Sequence, residues 1–122
     1  MTEIYRTTVV GAGDDATAFL PEGMFVTFGE NAPAALRDFC FLIDVTASTD
    51  TIAAGQRLVI DGRPLPITAV GEVAQQNLDS LGHVTVNLDG ASVPKMHGAI
   101  HVDAGGDIPT VQVGSRIVIE KP

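Results

Sequence analysis

The chain has 122 residues, the size of one ordinary domain, and we expect a single domain over residues 1–122 with one hydrophobic core. Its net charge of -8 repels nucleic-acid phosphates and anionic membrane surfaces. No apolar run is long enough for a membrane span, no signal peptide is recognisable, and the one cysteine has no partner for an internal disulfide, so we expect a cytoplasmic protein without nucleic-acid or membrane partners.

Short segments rich in β-branched and aromatic residues, separated by Gly, Pro and Asp, predict an all-β domain, either a small β-barrel or a sandwich. The predicted strands, in chain order, are Thr2 to Val10, Met24 to Phe28, Phe39 to Val45, Arg57 to Ile60, Leu65 to Val70, His83 to Leu88, Ala99 to Val102 and Arg116 to Ile119. The fourth and fifth strands flank Asp61-Gly62, a dipeptide that tolerates the positive φ of a tight turn. The sequence therefore predicts a β-hairpin at this point.

One or two short helices complete the prediction. Asn31 to Asp38 begins with a capping residue and has Pro33 in its first turn, where proline is tolerated. Glu72 to Ser80 carries its apolar residues in one helical stripe, and Gly82 follows where a left-handed residue would end a helix.

Two segments of the sequence echo each other. Gly55 to Ile60 and Gly114 to Ile119 each read Gly, polar, Arg and then three aliphatic residues. A turn followed by a buried strand explains both segments. Because such units are common in β proteins, the echo by itself favours convergence on a local solution over duplication.

Several short motifs, spread over nearly the whole chain, together resemble one known family. They are, in chain order, Ile4-Tyr5, Cys40-Phe41, Thr68 to Ala74, Asn77-Leu78, Leu81 to Val86, Asp89-Gly90 and His101-Val102. In this arrangement the chain resembles the glucitol/sorbitol-specific IIA components of the bacterial sugar phosphotransferase system. The resemblance implies a β-barrel-like domain that needs no cofactor, accepts a phosphoryl group from the phosphocarrier HPr and passes it to a IIB/IIC sugar permease.

The sequence departs from the family in the strand after Cys40. The resemblance implies a His-x-His pair there, whose first histidine is phosphorylated, whereas this chain has Ile43 and Val45 at the two positions. Aliphatic side chains offer no nucleophile, and Asp44 between them adds a negative charge where an anionic donor must approach. Phosphoryl transfer therefore needs another histidine in this chain.

His83 and His101 are the candidates for that role, since the ring of a histidine is partly neutral near pH 7. His83 directly follows Gly82 within the family-like segment, and His101 matches a family position. For each, the alternative is a structural histidine whose ring bonds a nearby backbone or side-chain group.

The spacing of His97 and His101 raises the question of a metal site. Residues four apart lie on one face of a strand, but a zinc site needs three or four ligands, and the other ligand types come from unrelated parts of the chain. We therefore expect no metal. Cys40, flanked by apolar residues, is expected to pack as a small apolar side chain.

Two functions remain open at this stage. One is a phosphocarrier that uses His83 or His101. The other is a degenerate IIA-like domain that binds partners of the phosphotransferase system, or a regulator, without carrying phosphate. A homodimer formed through sheet edges is a further expectation, because unpaired edges of small β domains associate readily.

Overall fold

Eight strands close into one barrel in the computed structural model, which describes residues 1–122. In chain order they are β1 (Thr2–Ala12), β2 (Met24–Gly29), β3 (Phe41–Ile43), β4 (Arg57–Ile60), β5 (Arg63–Val70), β6 (Val84–Asn87), β7 (Ala99–Val102) and β8 (Arg116–Lys121). Around the barrel their order is β1-β3-β2-β6-β7-β5-β4-β8. The all-β prediction is confirmed, and of its two forms the barrel is the one observed.

The predicted hairpin joins β4 to β5. The two strands are antiparallel from Arg57↔Pro66 to Ile60↔Arg63, and the turn consists of Asp61 with φ 49° and Gly62 with φ 84°. Both residues have positive φ, which the type I′ turn of a two-residue hairpin requires. The Asp61-Gly62 dipeptide therefore forms the tight hairpin turn that the sequence predicts.

Two strand pairs are parallel, and each needs a connection that runs the length of the barrel. β2 pairs with β3, and β6 pairs with β7. We call residues 30–40 the first crossover and residues 88–98 the second crossover. The first contains the short helix α1 (Ala34–Arg37), while the second has no helix.

The longer helix, α2 (Ala74–Leu81), packs Ala74 and Leu78 into the core. Both predicted helices exist, with α1 shorter than Asn31 to Asp38, and a single turn of 3-10 helix at Leu20–Glu22 was not predicted. None of the helices has the length and hydrophobicity that a bilayer crossing requires.

The barrel interior is filled by the inward side chains of all eight strands, and Phe25 and Phe41 meet edge to face there with ring centroids 6.1 Å apart. A smaller cluster lies on the outside, between the barrel and the first crossover. Its buried members are Phe28, Ala32, Cys40 and Leu42. The predicted packing of Cys40 is confirmed, and burial raises the pKa of its thiol.

Candidate functional site

His83 lies at a corner between α2 and β6 that the backbone holds firmly. The helix ends at Gly82, whose φ of 67° is left-handed and whose N–H donates to the carbonyls of Asn77 and Leu78. The N–H of His83 also donates to the Asn77 carbonyl, at 3.2 Å. From β2, Thr27 Oγ1 donates to the Gly82 carbonyl at 2.8 Å in a buried bond. The corner is therefore tied both to the helix and to the sheet.

The ring of His83 has one nitrogen bonded and one free. It stacks on Phe28, with centroids 4.4 Å apart and an interplanar angle of 28°, and its Nδ1 lies 3.2 Å from the Thr27 carbonyl oxygen. Because a carbonyl only accepts hydrogen bonds, we assign to the neutral ring the tautomer with its proton on Nδ1 and its lone pair on Nε2. Nε2 has no hydrogen-bond partner in the chain, and the residue is only half-buried. Nε2 is thus placed to act as a nucleophile.

The two positions where the resemblance implies histidines lie beside this corner. A β-carbon built on Gly29 would be 2.6 Å from Val45 Cγ2, and one built on Gly82 would be 3.2 Å from Ile43 Cγ1. Glycine at both positions permits this close approach. The end of β3 and the corner that carries His83 therefore form one site.

Ile43 and Val45 differ in their exposure within that site. Ile43 is 1% exposed and belongs to the interior core, whereas Val45 is 48% exposed. The predicted strand ran to Val45, but β3 ends at Ile43 and the alternation of faces stops there. Only the second of the two positions therefore presents its side chain to a partner.

Charged groups at the border of the site are mixed. Arg37 Nη1 donates to the carbonyl of Glu30, the residue that follows β2, at 2.7 Å. Asp44 and Glu30 are both exposed. The border therefore carries one cation and two exposed carboxylates, and the carboxylates weaken the attraction for an approaching anion.

His101 lies elsewhere, on β7 beneath the second crossover. It is 0% exposed, its Nδ1 is 2.9 Å from Asp89 Oδ1, and its Nε2 accepts the backbone N–H of Lys95 at 3.2 Å. Both ring nitrogens are bonded and the ring has no open face. His101 fastens the second crossover to the sheet near the start and the end of that segment.

Asp89 is held in its charged form by the same contacts. Partial burial, the largest single influence, raises the pKa of its carboxyl, but the hydrogen bonds from His101, the Ala91 N–H and Lys95 outweigh it and lower the pKa to about 2. Lys95 Nζ lies 3.2 Å from Asp89 Oδ2. The carboxylate therefore contributes to stability at neutral pH.

His97 does not join His101, although four residues separate them. His97 is exposed, and its Nδ1 is 2.7 Å from Glu72 Oε1 at the surface. No group of three or more His, Cys, Asp or Glu side chains comes together as a metal site would require. The structure thus places the three histidines in three different environments.

The sequence offered no signal for the partners of the histidine rings. Phe28 and Thr27 are distant in sequence from His83, and Asp89 is twelve positions from His101. These contacts depend on the order of strands around the barrel. Local patterns do not contain that order.

Comparisons with known proteins agree with one another. The family described as "PTS system glucitol/sorbitol-specific IIA component" matches residues 4–118. The chain is 38% identical over 109 residues to the PTS system glucitol/sorbitol-specific EIIA components of Shigella flexneri and Escherichia coli (strain K12), covering 89% of this chain and 87% of each relative. It is also similar to the crystal structure of the PTS system IIA component from Enterococcus faecalis V583, with a TM-score of 0.79, 26% identity and coverage of 93% of this chain and 97% of that one.

Proposed function

The chain belongs to the family of PTS system glucitol/sorbitol-specific IIA components, and from that premise we propose that it is a cytoplasmic phosphocarrier for the uptake of glucitol/sorbitol. In this role it accepts a phosphoryl group from HPr and donates it to the IIB domain of a IIB/IIC permease. We further propose that His83 is the acceptor.

The free Nε2 of His83 is the observation that carries this proposal. It is a lone pair on a half-buried ring, beside the two positions that the family resemblance marks as the acceptor strand. Transfer breaks the P–N bond to the donor's histidine and forms a P–N bond to Nε2. The positive charge that develops on the ring is stabilised by the Thr27 carbonyl, which keeps its hydrogen bond to Nδ1–H.

The other two histidines fit the role less well. His101 has both nitrogens bonded and is inaccessible to a protein partner. Its role in the proposal is to hold the second crossover in place. His97 is accessible and its Nε2 is unbonded, but it lies against Glu72 at the surface and away from the β3 corner.

A second candidate function is binding without phosphoryl transfer. Ile43 and Val45 favour it, because neither accepts a phosphoryl group, and so does the exposed carboxylate of Asp44, which repels an anionic donor. In this alternative the chain docks on HPr, the permease or a regulator, and the exposed Val45 contributes apolar surface to the contact.

The test that separates the two functions follows the intact mass of the protein with phosphoenolpyruvate, enzyme I and HPr, under conditions that preserve phosphohistidine. We expect the addition of one phosphoryl group to the wild type, its loss in His83→Gln and its retention in His97→Gln. The second variant is the matched control because it makes the same change at an exposed histidine.

Other outcomes of this experiment are equally decisive. Phosphorylation that persists in His83→Gln contradicts the assignment of His83, and its loss in His97→Gln would move the acceptor there. A wild type that binds HPr but gains no mass supports the binding function and overturns the phosphocarrier. Circular dichroism of each variant separates a lost acceptor from a lost fold.

A further inference from the structure

The strand register repeats between the two halves of the chain. Residues 2–60 carry β1 to β4, and residues 63–121 carry β5 to β8. The ladder between β1 and β3 consists of Val9↔Ile43, Gly11↔Leu42 and Ala12↔Phe41. The ladder between β5 and β7 consists of Ile67↔Val102, Ala69↔His101 and Val70↔Ile100. Each ladder has one irregularity, after its first pair, so even the defect is repeated.

The parallel pairs repeat in the same way. Phe28 faces Leu42 between β2 and β3, and Asn87 faces His101 between β6 and β7. The third strand of each half therefore has equivalent neighbours. β3 is antiparallel to β1 and parallel to β2, and β7 is antiparallel to β5 and parallel to β6. Leu42 and His101 therefore occupy equivalent places.

The residues that require left-handed backbone also repeat. Gly23, with φ 83°, ends the 3-10 helix before β2, and Gly82 ends α2 before β6. Gly55 and Gly114, with φ 95° and 94°, precede β4 and β8. The latter pair begins the two segments whose sequences echo each other. The echo is therefore part of a repeat that runs through the whole barrel.

Equivalent hydrogen bonds accompany these glycines. The N–H of Ile67 donates to the Gln56 carbonyl at 2.8 Å, and the N–H of Val9 donates to the Ser115 carbonyl at 2.8 Å. Gln56 and Ser115 are both buried polar residues that follow the equivalent glycines. Convergence on one turn-strand unit does not explain a repeat of this extent.

The halves interlock, because the last strand of each pairs only with strands of the other half. β4 lies between β5 and β8, and β8 lies between β1 and β4. Four of the eight strand pairings join one half to the other. Neither half closes a sheet without the other.

The contacts between the halves have the symmetry of a dimer interface. In the β4–β8 ladder, Leu58↔Ile119 and Ile60↔Ile117 are arranged about the central pair Val59↔Val118. The β2–β6 ladder is arranged in the same way about Val26↔Thr85. Each ladder maps onto itself when the halves are interchanged, which defines an isologous interface.

We propose that the barrel is a fused dimer of two equivalent halves, and that each half presents a surface that the opposite half of a second copy of this chain can occupy. Two chains then exchange halves about the Asp61-Gly62 turn to give a closed dimer of two barrels. The closed barrel has no free sheet edge, so this exchange, and not association of edges, is the route to a homodimer.

The exchange alters little except the hinge. Every pairing between the halves is retained, now between chains, and β4 continues into β5 as one long strand. In the monomer the two halves are held together at an effective concentration of about millimolar, so the monomer dominates in dilute solution. A turn that resists closure shifts this balance, since short hinges under strain promote exchange.

Gly62→Val provides such a turn. A β-branched residue at this position resists φ 84°, and the strain disappears when the turn opens into an extended strand. Because the exchanged dimer contains two such hinges, we expect the association constant for dimer formation to rise about a hundredfold, which is about tenfold for each hinge. Gly106→Val is the matched control. Gly106 has φ 80° and equally open surroundings, but it lies between β7 and β8 of one half, where exchange relieves nothing.

A disulfide trap distinguishes exchange from association of intact barrels. Val59 and Val118 face each other across β4 and β8 on the outside of the barrel. Cys40→Ser removes the native thiol, and Val59→Cys with Val118→Cys then allows a disulfide between β4 and β8. In the monomer this disulfide lies within one chain, and in the exchanged dimer it joins two chains.

The experiment combines light scattering with non-reducing electrophoresis. We expect Gly62→Val to form a discrete dimer linked between chains, and Gly106→Val to remain monomeric with the link inside one chain. A monomeric Gly62→Val, or a dimer linked only within chains, overturns the proposal. If Gly62→Val does not fold, the trap variant with the native turn is refolded at about 1 mM, the effective concentration of the halves. Links between chains then support exchange, and their absence overturns it.

Discussion

The first and second crossovers cover equivalent strands of the barrel, yet the groups beneath them differ in kind. Under the first, Leu42 packs in a cluster with Phe28, Ala32 and Cys40. Under the second, His101 stands in the place of Leu42 and is held by hydrogen bonds to Asp89 and Lys95. One crossover is attached by apolar burial and the other by a polar network.

This difference shows that a single geometric problem has two chemical solutions with different sensitivities. Apolar burial depends on shape and volume, and it does not change with pH. The polar network depends on its members, since removing Asp89 leaves the buried ring of His101 short of a partner, and removing His101 leaves the Lys95 N–H without its acceptor. The second crossover is therefore the one that pH and single polar substitutions should disturb.

The largest effect is expected from breaking the apolar attachment. Leu42→Ala removes a buried side chain from a small cluster and leaves a cavity, so we expect the free energy of unfolding to fall by about 2 to 4 kcal/mol. Urea denaturation of the variant measures this loss. A loss near zero would mean that the first crossover is held by α1 and its backbone and not by the cluster.

A smaller effect is expected from substituting the polar attachment with its apolar equivalent. His101→Leu places at the second crossover the residue found at the first. It leaves the Lys95 N–H without an acceptor and removes one of the hydrogen bonds to the Asp89 carboxylate, so we expect a loss of about 1 to 3 kcal/mol.

A double-mutant cycle with Asp89→Leu sharpens this prediction. If the network acts as a unit, the double variant loses less than the sum of the two single variants, because one change removes the group that the other leaves unpaired. Additive losses would show that His101 and Asp89 contribute independently and would contradict the network.

The same contrast explains how much the sequence could predict. Strands β4 and β7 and the Asp61-Gly62 hairpin follow from local patterns, and the structure confirms their bounds. The strand through Cys40 was predicted too long at both ends, as Phe39 to Val45, because apolar composition does not reveal where pairing stops.

The order of the strands was beyond the sequence, because both parallel pairs form between segments that local rules treat independently. The apolar character of Cys40 predicted its burial correctly. In contrast, nothing near His101 indicated that Asp89 would meet it, and nothing near His83 indicated the stack on Phe28. Polar partners and ring stacks are properties of the closed barrel and not of its segments.

The smallest effect is expected at acid pH, and it distinguishes the two crossovers directly. The pKa of Asp89 is lowered to about 2, against about 3.9 for an aspartate in the unfolded chain. Its contribution is therefore fully present above about pH 4 and is lost as the pH falls from about 4 to 2. Asp89→Asn should show a shallower decline in stability over this window than the wild type, measured by urea denaturation at constant ionic strength.

Leu42→Ala is the control for the apolar crossover. It should keep the same deficit in stability relative to the wild type at both ends of the window, because no titrating group is changed. Parallel declines of Asp89→Asn and the wild type would show that the carboxylate is not held as the structure indicates.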